Sequence, residues 1–357
     1  MLGFAYAPLV VVVVLALNVF LPGRWVEGYV RDEGTGRRLR YHLNGLRVFF
    51  VSIGLWALAC SSGLLAWDAF YVERWTMAAS ACVVGLVFSL VMVLPAPAVE
   101  GRSWLAEVYL GRLANPQWQK GRVDAKMFLY LVGATLLELN LLSFGAHHVL
   151  GHPDDSSPGV FLYGGLFTFF LVEYLFFEEV HLYTYDFVAE RVGFKLGWGC
   201  LVFYPFFYGI GLWTQAEKPN PHSSPLWLAL CGLGFFSGWA LSRGANLQKF
   251  AFKRDPTKKF LGLAPQVLSD GQKLVLASGF WGLARHINYL GELMMASALT
   301  LSLGFPTSWE PWLYPLYYLA LLVPRQHDDD RRCAAKYGPL WAEYVKRVPY
   351  RIIPFVF

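Results

Sequence analysis

Residues 4–21 read F-A-Y-A-P-L-V-V-V-V-V-L-A-L-N-V-F-L, eighteen positions without a formal charge. An α-helix rises about 1.5 Å per residue, so the run covers about 27 Å, close to the thickness of a bilayer's hydrocarbon core. No basic n-region precedes it and no small-residue cleavage site follows, so it reads as a retained span and not as a signal peptide. Further apolar runs lie at Val48–Trp67, Trp75–Leu94, Met127–Val149, Val160–Phe177, Leu196–Trp213, Leu226–Leu241, Ile287–Phe305 and Trp312–Val323. The fold class this predicts is an all-α polytopic membrane protein of about nine to ten transmembrane helices. The short apolar piece Leu274–Leu283 is too brief to cross and is expected to be interfacial or re-entrant.

Composition agrees. The 357 residues are 56% hydrophobic and only 15% charged, with a mean hydropathy of +0.40, whereas a soluble chain carries about a quarter charged residues. A net charge of +5 is modest and gives no reason to expect a nucleic-acid partner. The five cysteines (Cys60, Cys82, Cys200, Cys231, Cys333) have neither metal-ligand nor redox spacing, so no metal site and no disulfide framework is indicated.

Loop charge orients the spans. Segments 23–47, 100–126, 243–273 and 325–351 are rich in Lys and Arg, while 146–158 contains neither. The positive-inside rule puts the first group and the C-terminus in the cytosol, and the second group on the opposite side. With no internal repeat, the chain is expected to be one membrane domain, 1–357, with N-terminal spans in 1–243 and a C-terminal part in 244–357. The loop 23–47 has glycines at turn spacing and is expected to be a basic linker. Asn115-Pro116 reads as a turn, and Asp124 with Lys126 as the cap of the next span.

Ionisable residues inside spans are costly and usually face a cavity or a partner. Glu138 and Glu173 qualify, with Glu178, Glu179, His181 and Asp186 at the following boundary. An interior residue paired with a neighbour and a functional carboxylate are equally good readings of Glu138. His181 lacks partners at metal-ligand spacing.

The chemistry collects in the last third. Loop 243–273 carries Arg243, Lys249, Lys253, Arg254, Lys258 and Lys259, which alone is an ordinary positive-inside loop facing anionic lipid headgroups. It is followed by Trp281, Arg285, His286, Asn288 and Tyr289, an aromatic, cationic and amide set suited to a flat ring, an amide and a phosphate. Arg325, Asp329, Cys333 and Lys336 then recur at four, four and three residues, one face of a helix. Gly338-Pro339 should end that helix, and a second, Leu340–Val348, presents Tyr344. A solvated tail helix with i,i+4 ion pairs is the plain alternative. Two cation clusters flanking an aromatic–amide stretch favour a dinucleotide site. No G-x-G-x-x-G follows a strand, so any nucleotide would be held by Arg and Lys on helices and loops.

At these residues the chain resembles the sterol reductases: the delta-14, delta-7 and C-24(28) enzymes and the membrane domain of the lamin B receptor. The resemblance rests on Ser278-Gly279-Phe280-Trp281-Gly282, Arg285-His286, Asn288-Tyr289 and Gly291-Glu292. It continues in Asp329-Asp330, Cys333, Lys336-Tyr337-Gly338, Trp341, Tyr344 and Val348 to Pro354, and in Gln248-Lys249, Phe252-Lys253 and Pro256. Upstream it is thinner. The family's E-x-R-P-G is not met after Lys126, Asp328 stands where the family usually has Arg, and Gln326 where it often has Glu.

The resemblance implies a cytosolic C-terminal cofactor site for NADPH and a sterol substrate drawn from the bilayer. It assigns NADPH contacts to Lys249, Lys253, Trp281, Arg285, His286, Asn288, Tyr289, Arg325, Asp329, Cys333, Lys336 and Tyr337. Asp329 and Tyr344 become the catalytic, proton-delivering pair, with Tyr344 hydrogen-bonded near Asp329. The reaction it implies is reduction of a sterol carbon–carbon double bond in sterol biosynthesis, delta-14 by default. Delta-7 and C-24(28) reduction remain alternatives, as does an S-adenosylmethionine-dependent enzyme of the isoprenylcysteine carboxyl methyltransferase type. A scaffold role and a transporter fit less well, since the charges gather at one membrane face. The membrane would be that of the endoplasmic reticulum in a eukaryote and the cytoplasmic membrane in a bacterium.

Overall fold

The computed structural model describes residues 3–32 and 34–357. They form two compact units, Met1–His222 and Ser223–Phe357.

In the first unit, helix α1 (Gly3–Phe20) leads into a hairpin of β1 (Arg24–Arg31) and β2 (Arg38–Leu43). The predicted linker 23–47 is thus an antiparallel ribbon. In β2 the sequence alternates, Arg38, Arg40 and His42 between Leu39, Tyr41 and Leu43, the period-2 pattern of a half-buried strand, while β1 (R-W-V-E-G-Y-V-R) carries no such alternation. Behind it come α2 (Gly45–Ser61), α3 (Arg74–Val93), α4 (Ala125–Gly151), α5 (Pro158–Phe176) and a composite helix over Phe194–Gln215. Helix α4 is the axis of the unit, with most of its side chains buried from Ala125 to His148. As expected, Asp124 caps it, accepting from the Lys126 and Met127 amides at 3.0 and 3.1 Å. Within Phe194–Gln215, residues Gly199–Phe207 widen to a π-helix containing Pro205, whose carbonyl accepts from the buried Asn140 amide at 2.8 Å. The polar side chain thereby satisfies backbone that a π-turn frees inside an apolar segment.

The second unit begins with α6 (Pro225–Arg254), opened by a Ser224 cap and Pro225 at its first turn. A hairpin follows, β3 (Val267–Ser269) with β4 (Leu274–Leu276), then a helical turn at Phe280–Leu283, α7 (Ile287–Ser302), α8 (Leu313–Tyr337) and α9 (Pro339–Arg347). The piece Leu274–Leu283 is therefore a strand plus one helical turn, not a re-entrant segment. Val275, Leu276 and Ala277 point their apolar side chains into the unit's own core. Helices α6 and α7 cross backbone to backbone where Gly238 meets Gly291. A Cβ on Gly238 would lie 2.6 Å from the Gly291 carbonyl oxygen. Gly338, at φ +57°, breaks α8 from α9 where the Gly-Pro pair predicts.

Among the described residues, six helices are long and apolar enough to cross a membrane: Gly3–Phe20, Arg74–Val93, Ala125–Gly151, Pro158–Phe176, Phe194–Gln215 and Pro225–Arg254. The chain is thus a mostly helical, multi-pass membrane protein. The other three predicted spans fall on shorter or more polar elements. Val48–Trp67 becomes the 17-residue α2, Ile287–Phe305 the 16-residue α7, and Trp312–Val323 the apolar half of α8, which runs on through Pro324 into its charged half.

Candidate active site

The second unit organises its polar residues around Trp281. The chain must turn sharply before it, and Gly279 does so at φ +61°, a conformation that favours glycine. The Gln248 side chain from α6 clamps the turn, donating to the Ser278 carbonyl at 3.2 Å and accepting from the Phe280 amide at 3.0 Å. Trp281 donates its indole N–H to the Ala245 carbonyl at 2.8 Å, and the Lys249 ammonium lies 4.8 Å from its ring centroid. Its carbonyl accepts from the Tyr344 hydroxyl at 2.8 Å. Tyr344 is 2% exposed. Burial lifts its phenol well above the ordinary range, opposed by Arg285 and reinforced by Cys333 and Asp330.

Arg285 and His286 fasten the segment after α9. Their amides donate to the Tyr350 and Arg351 carbonyls at 3.0 and 2.7 Å. The Arg285 guanidinium donates to the Val348 and Pro349 carbonyls, both at 3.0 Å, and approaches the Asp330 carboxylate at 3.4 Å. His286 lies on the Tyr289 ring, centroids 5.1 Å apart, with Asp329 at 3.9 Å from Nδ1 and Asp330 at 3.8 Å from Nε2. Burial pushes the Asp330 carboxyl up, but His286 and the charges of Arg285 and Arg351 outweigh it and hold the group below the usual carboxylate range.

The α8 face predicted from spacing is present. Lys249, Lys253, Asp329, Cys333 and Lys336 share one electrostatic neighbourhood. Burial, reinforced by Asp329, pushes the Cys333 thiol up to about 12. The Lys336 ammonium lies 5.1 Å over the Tyr337 ring, and Arg325 sits one turn before Asp329.

Two placements differ from expectation. The Tyr344 hydroxyl is directed at the Trp281 carbonyl, and the carboxylate acting on it electrostatically is Asp330, not Asp329. The Arg285 guanidinium is engaged by backbone carbonyls and Asp330 at 4% side-chain exposure, a clasp inside the protein. Gln326, noted in the sequence but given no role there, is fully buried with no hydrogen-bond partner for either amide atom among the described residues. Its signal was the departure from Glu at that position. Asn288 likewise has a buried Oδ1 without a partner. Cations at Lys249, Lys253, Arg325 and Lys336, an aromatic platform and these orphaned amide atoms fit an anionic dinucleotide with an amide head.

The first unit holds the other singled-out carboxylates. Glu179 pairs with Arg24 at 2.8 Å. Glu178 accepts from the Gly45 amide at 3.0 Å, and burial pushes it up to about 8. His181 stacks on Tyr174 at 3.8 Å, with its Nε2 3.0 Å from the Tyr174 carbonyl. Lys126, beyond any capping role, buries its ammonium against Asn115 Oδ1 at 3.0 Å and the Phe187 carbonyl at 2.9 Å. Glu138 accepts from Thr168 at 2.8 Å.

Helices able to cross a membrane and a basic, aromatic, carboxylate-bearing cluster after the last of them define the class: a multi-pass membrane protein with a polar site beyond its long apolar helices. The chain belongs to the Ergosterol biosynthesis ERG4/ERG24 family, which it matches over residues 4–357. It is 33% identical over 356 residues to the Delta(14)-sterol reductase of Arabidopsis thaliana, covering 94% of this chain and 91% of the relative. It is 35% identical over 372 residues to the Delta(14)-sterol reductase TM7SF2 of Mus musculus, covering 99% and 86%. The Delta(14)-sterol reductase of Methylotuvimicrobium alcaliphilum is 32% identical over 353 residues, covering 96% and 80%.

Proposed function

We propose that the protein reduces the delta-14 double bond of a sterol with NADPH, in sterol biosynthesis. The observation that carries the reading is the sharing of Trp281. One residue orders a buried phenol, through its carbonyl, and a phosphate-competent lysine, through its ring. A proton donor and a cofactor-type cation set are thus built on the same residue, in a chain whose relatives are named for this reaction.

An isolated alkene is a poor hydride acceptor, so the reaction needs an acid. In this reading a proton passes from the Tyr344 hydroxyl to one alkene carbon. A C–H bond forms from the π electrons and a tertiary cation is left on the other carbon. The raised phenol stays protonated across the physiological range, and Arg285 is the charge that favours its conjugate base. Asp330 and the Val348 and Pro349 carbonyls hold Arg285 in place, and Asp329, the other half of the expected proton-delivering pair, lies beside His286. Lys249, Lys253, Arg325 and Lys336 bind phosphate, and Trp281, His286, Asn288, Tyr289, Cys333 and Tyr337 line ring and ribose. When bound, NADPH supplies the hydride that completes the saturated bond. The one-domain reading, with 1–243 serving the sterol and 244–357 the cofactor, belongs to the same proposal, as does a cytosolic position for the site.

The test is sterol profiling of purified protein given NADPH and Δ14, Δ7 or Δ24(28) substrates, beside titration with NADPH and S-adenosylmethionine. Saturation of the Δ14 substrate alone, with binding of NADPH only, is expected. Methyl transfer, or reduction of another bond in its place, overturns the assignment.

A further inference from the structure

Helix α6 runs well past its apolar half. Leu241 closes the apolar stretch, Ser242 and Arg243 follow, and the helix continues through Asn246, Gln248, Lys249 and Lys253 to Arg254. The chain then turns back. Asp255 ends the helix and accepts from the amide and the hydroxyl of Thr257, at 3.0 and 2.7 Å. Further on, Phe260 lies edge-on to Phe280, ring centroids 6.4 Å apart, and the Phe280 ring fills the space that a side chain on Gly244 would need. Gly244 is ten residues before Arg254, about 15 Å back along the helix axis. The loop after α6 therefore returns to the level at which the apolar half ends. Leu241 and Phe280 pack on one core, that of Ala245 and Trp281, which sets the same level.

At that level the loop makes a two-residue turn. Phe260 and Leu263 exchange backbone hydrogen bonds at 2.9 and 3.0 Å, and Leu261 and Gly262 between them sit at φ +48° and +80°. Positive φ at both central positions calls for Asn-Gly or Gly-Gly, so leucine is a poor choice for the first. Leu261 is nevertheless there, 78% exposed, with Leu263 65% exposed beside it. Neither the backbone nor water favours a leucine in this place. A lone exposed leucine is ordinary, but two of them on one strained turn make a directed apolar tip. Exposed Lys258 and Lys259 stand just before it, and no acidic residue occurs from Pro256 to Ser269. None of these four residues is among those assigned to the cofactor.

We propose that this turn is a membrane anchor. Leu261 and Leu263 enter the boundary between headgroups and acyl chains on the side where the apolar half of α6 ends, and Lys258 and Lys259 bind anionic phospholipid headgroups beside them. The occupant is the bilayer and not a second protein, because the tip lies where a helix able to cross the membrane leaves its apolar half, and its charge complements an anionic surface. The anchor fastens the polar part of the second unit to the bilayer, one ring contact, Phe260 to Phe280, away from the turn that carries Trp281. It rests on α6 crossing the membrane and is independent of the chemistry at Trp281.

The experiment replaces Leu261 of the full chain by the photo-cross-linking residue p-benzoylphenylalanine, in vesicles of phosphatidylcholine and phosphatidylglycerol in equal amounts. After irradiation, adducts are identified by peptide mass spectrometry. The same replacement at exposed Leu233, in the apolar half of α6, is the lipid-facing control. Phospholipid adducts are expected at both positions. At 261 phosphatidylglycerol should exceed phosphatidylcholine about five-fold, the effect of one lysine near an anionic surface. Lys258→Gln with Lys259→Gln should bring the two lipids to parity there and leave position 233 unchanged. Lipid adducts at 233 with none at 261, or a cross-link at 261 that joins two copies of the chain, overturns the anchor while the span stands. Absence of lipid adducts from both positions overturns span and anchor together. A phosphatidylglycerol excess that survives the double lysine variant removes the lysines from the proposal. NADPH-dependent turnover, followed separately, reports on the reductase reading, so either idea can fail without the other.

Discussion

At the residue scale, Tyr344 is the sharpest test of the chemistry. Removing its hydroxyl leaves the ring in place and breaks only the bond to the Trp281 carbonyl. Tyr344→Phe should lower kcat by about two orders of magnitude, the usual worth of a positioned general acid, while NADPH affinity stays within about two-fold. Full turnover in the variant would remove Tyr344 as the donor. Asp330 is the second residue to probe. Its folded carboxyl sits below the usual range, so its contribution to stability is complete above the unfolded value, near pH 4, and is lost as pH falls through the folded value. Asp330→Asn should flatten the acid limb of apparent Tm below about pH 4 and lower Tm at neutral pH by unpairing Arg285. Glu178 has the opposite sign. Raised to about 8, it stays protonated in the folded state while the unfolded chain ionises from about pH 4.5, so the protein loses stability between those values and no more above. Glu178→Gln should raise Tm at pH 8 and leave it unchanged at pH 4.

At the element scale, the α6–α7 crossing carries the second unit, and it depends on paired glycines. With the Gly291 carbonyl 2.6 Å from where a Gly238 Cβ would sit, and Met294 Cβ at 2.8 Å, a side chain there must push the helices apart. Gly238→Leu should cost about 1–3 kcal/mol or more, in the range of overpacked cores, seen as a lower Tm with early aggregation. Gly232→Leu, on the same helix with nothing within 4 Å, should be near neutral and controls for hydrophobicity. Element-scale structure was also where sequence reading was most uneven. Helices declared themselves by length and apolar continuity, and the α8–α9 break by Gly338-Pro339. The ribbon of β1 and β2 was hidden because its charged, glycine-containing strands look like a loop by composition, and only the alternation of β2 betrays it. In the site, the face of Arg325, Asp329, Cys333 and Lys336 was legible as helical spacing. The Arg285–Asp330 clasp was not, because its other partners are backbone carbonyls of Val348 and Pro349, which carry no side-chain signature. The direction of the Tyr344 hydroxyl escaped for the same reason.

At the scale of the whole molecule, loop charge still leads structure in deciding which face meets the cytosol. Basic residues concentrate in 243–273 and 325–351, whereas 146–158 has no Lys or Arg. Within the second unit, the basic residues Lys249, Lys253 and Lys336 gather with Trp281 and Tyr344 beyond the apolar part of α6. A water-soluble dinucleotide can reach them only if that end of α6 faces the compartment that supplies it. Two exposed positions report the two faces: Ser269 on the β3–β4 hairpin and Asp154 in the α4–α5 connection. In sealed right-side-out vesicles, Asp154→Cys should react with a membrane-impermeant maleimide, and Ser269→Cys only after permeabilisation. Labelling of both from one side would mean that the apolar helices between them cross an even number of times. That outcome is incompatible with the odd number, α5, Phe194–Gln215 and α6, that separates these two positions, so a single pair of labelling reactions tests whether an odd number of these helices span, as all three together would.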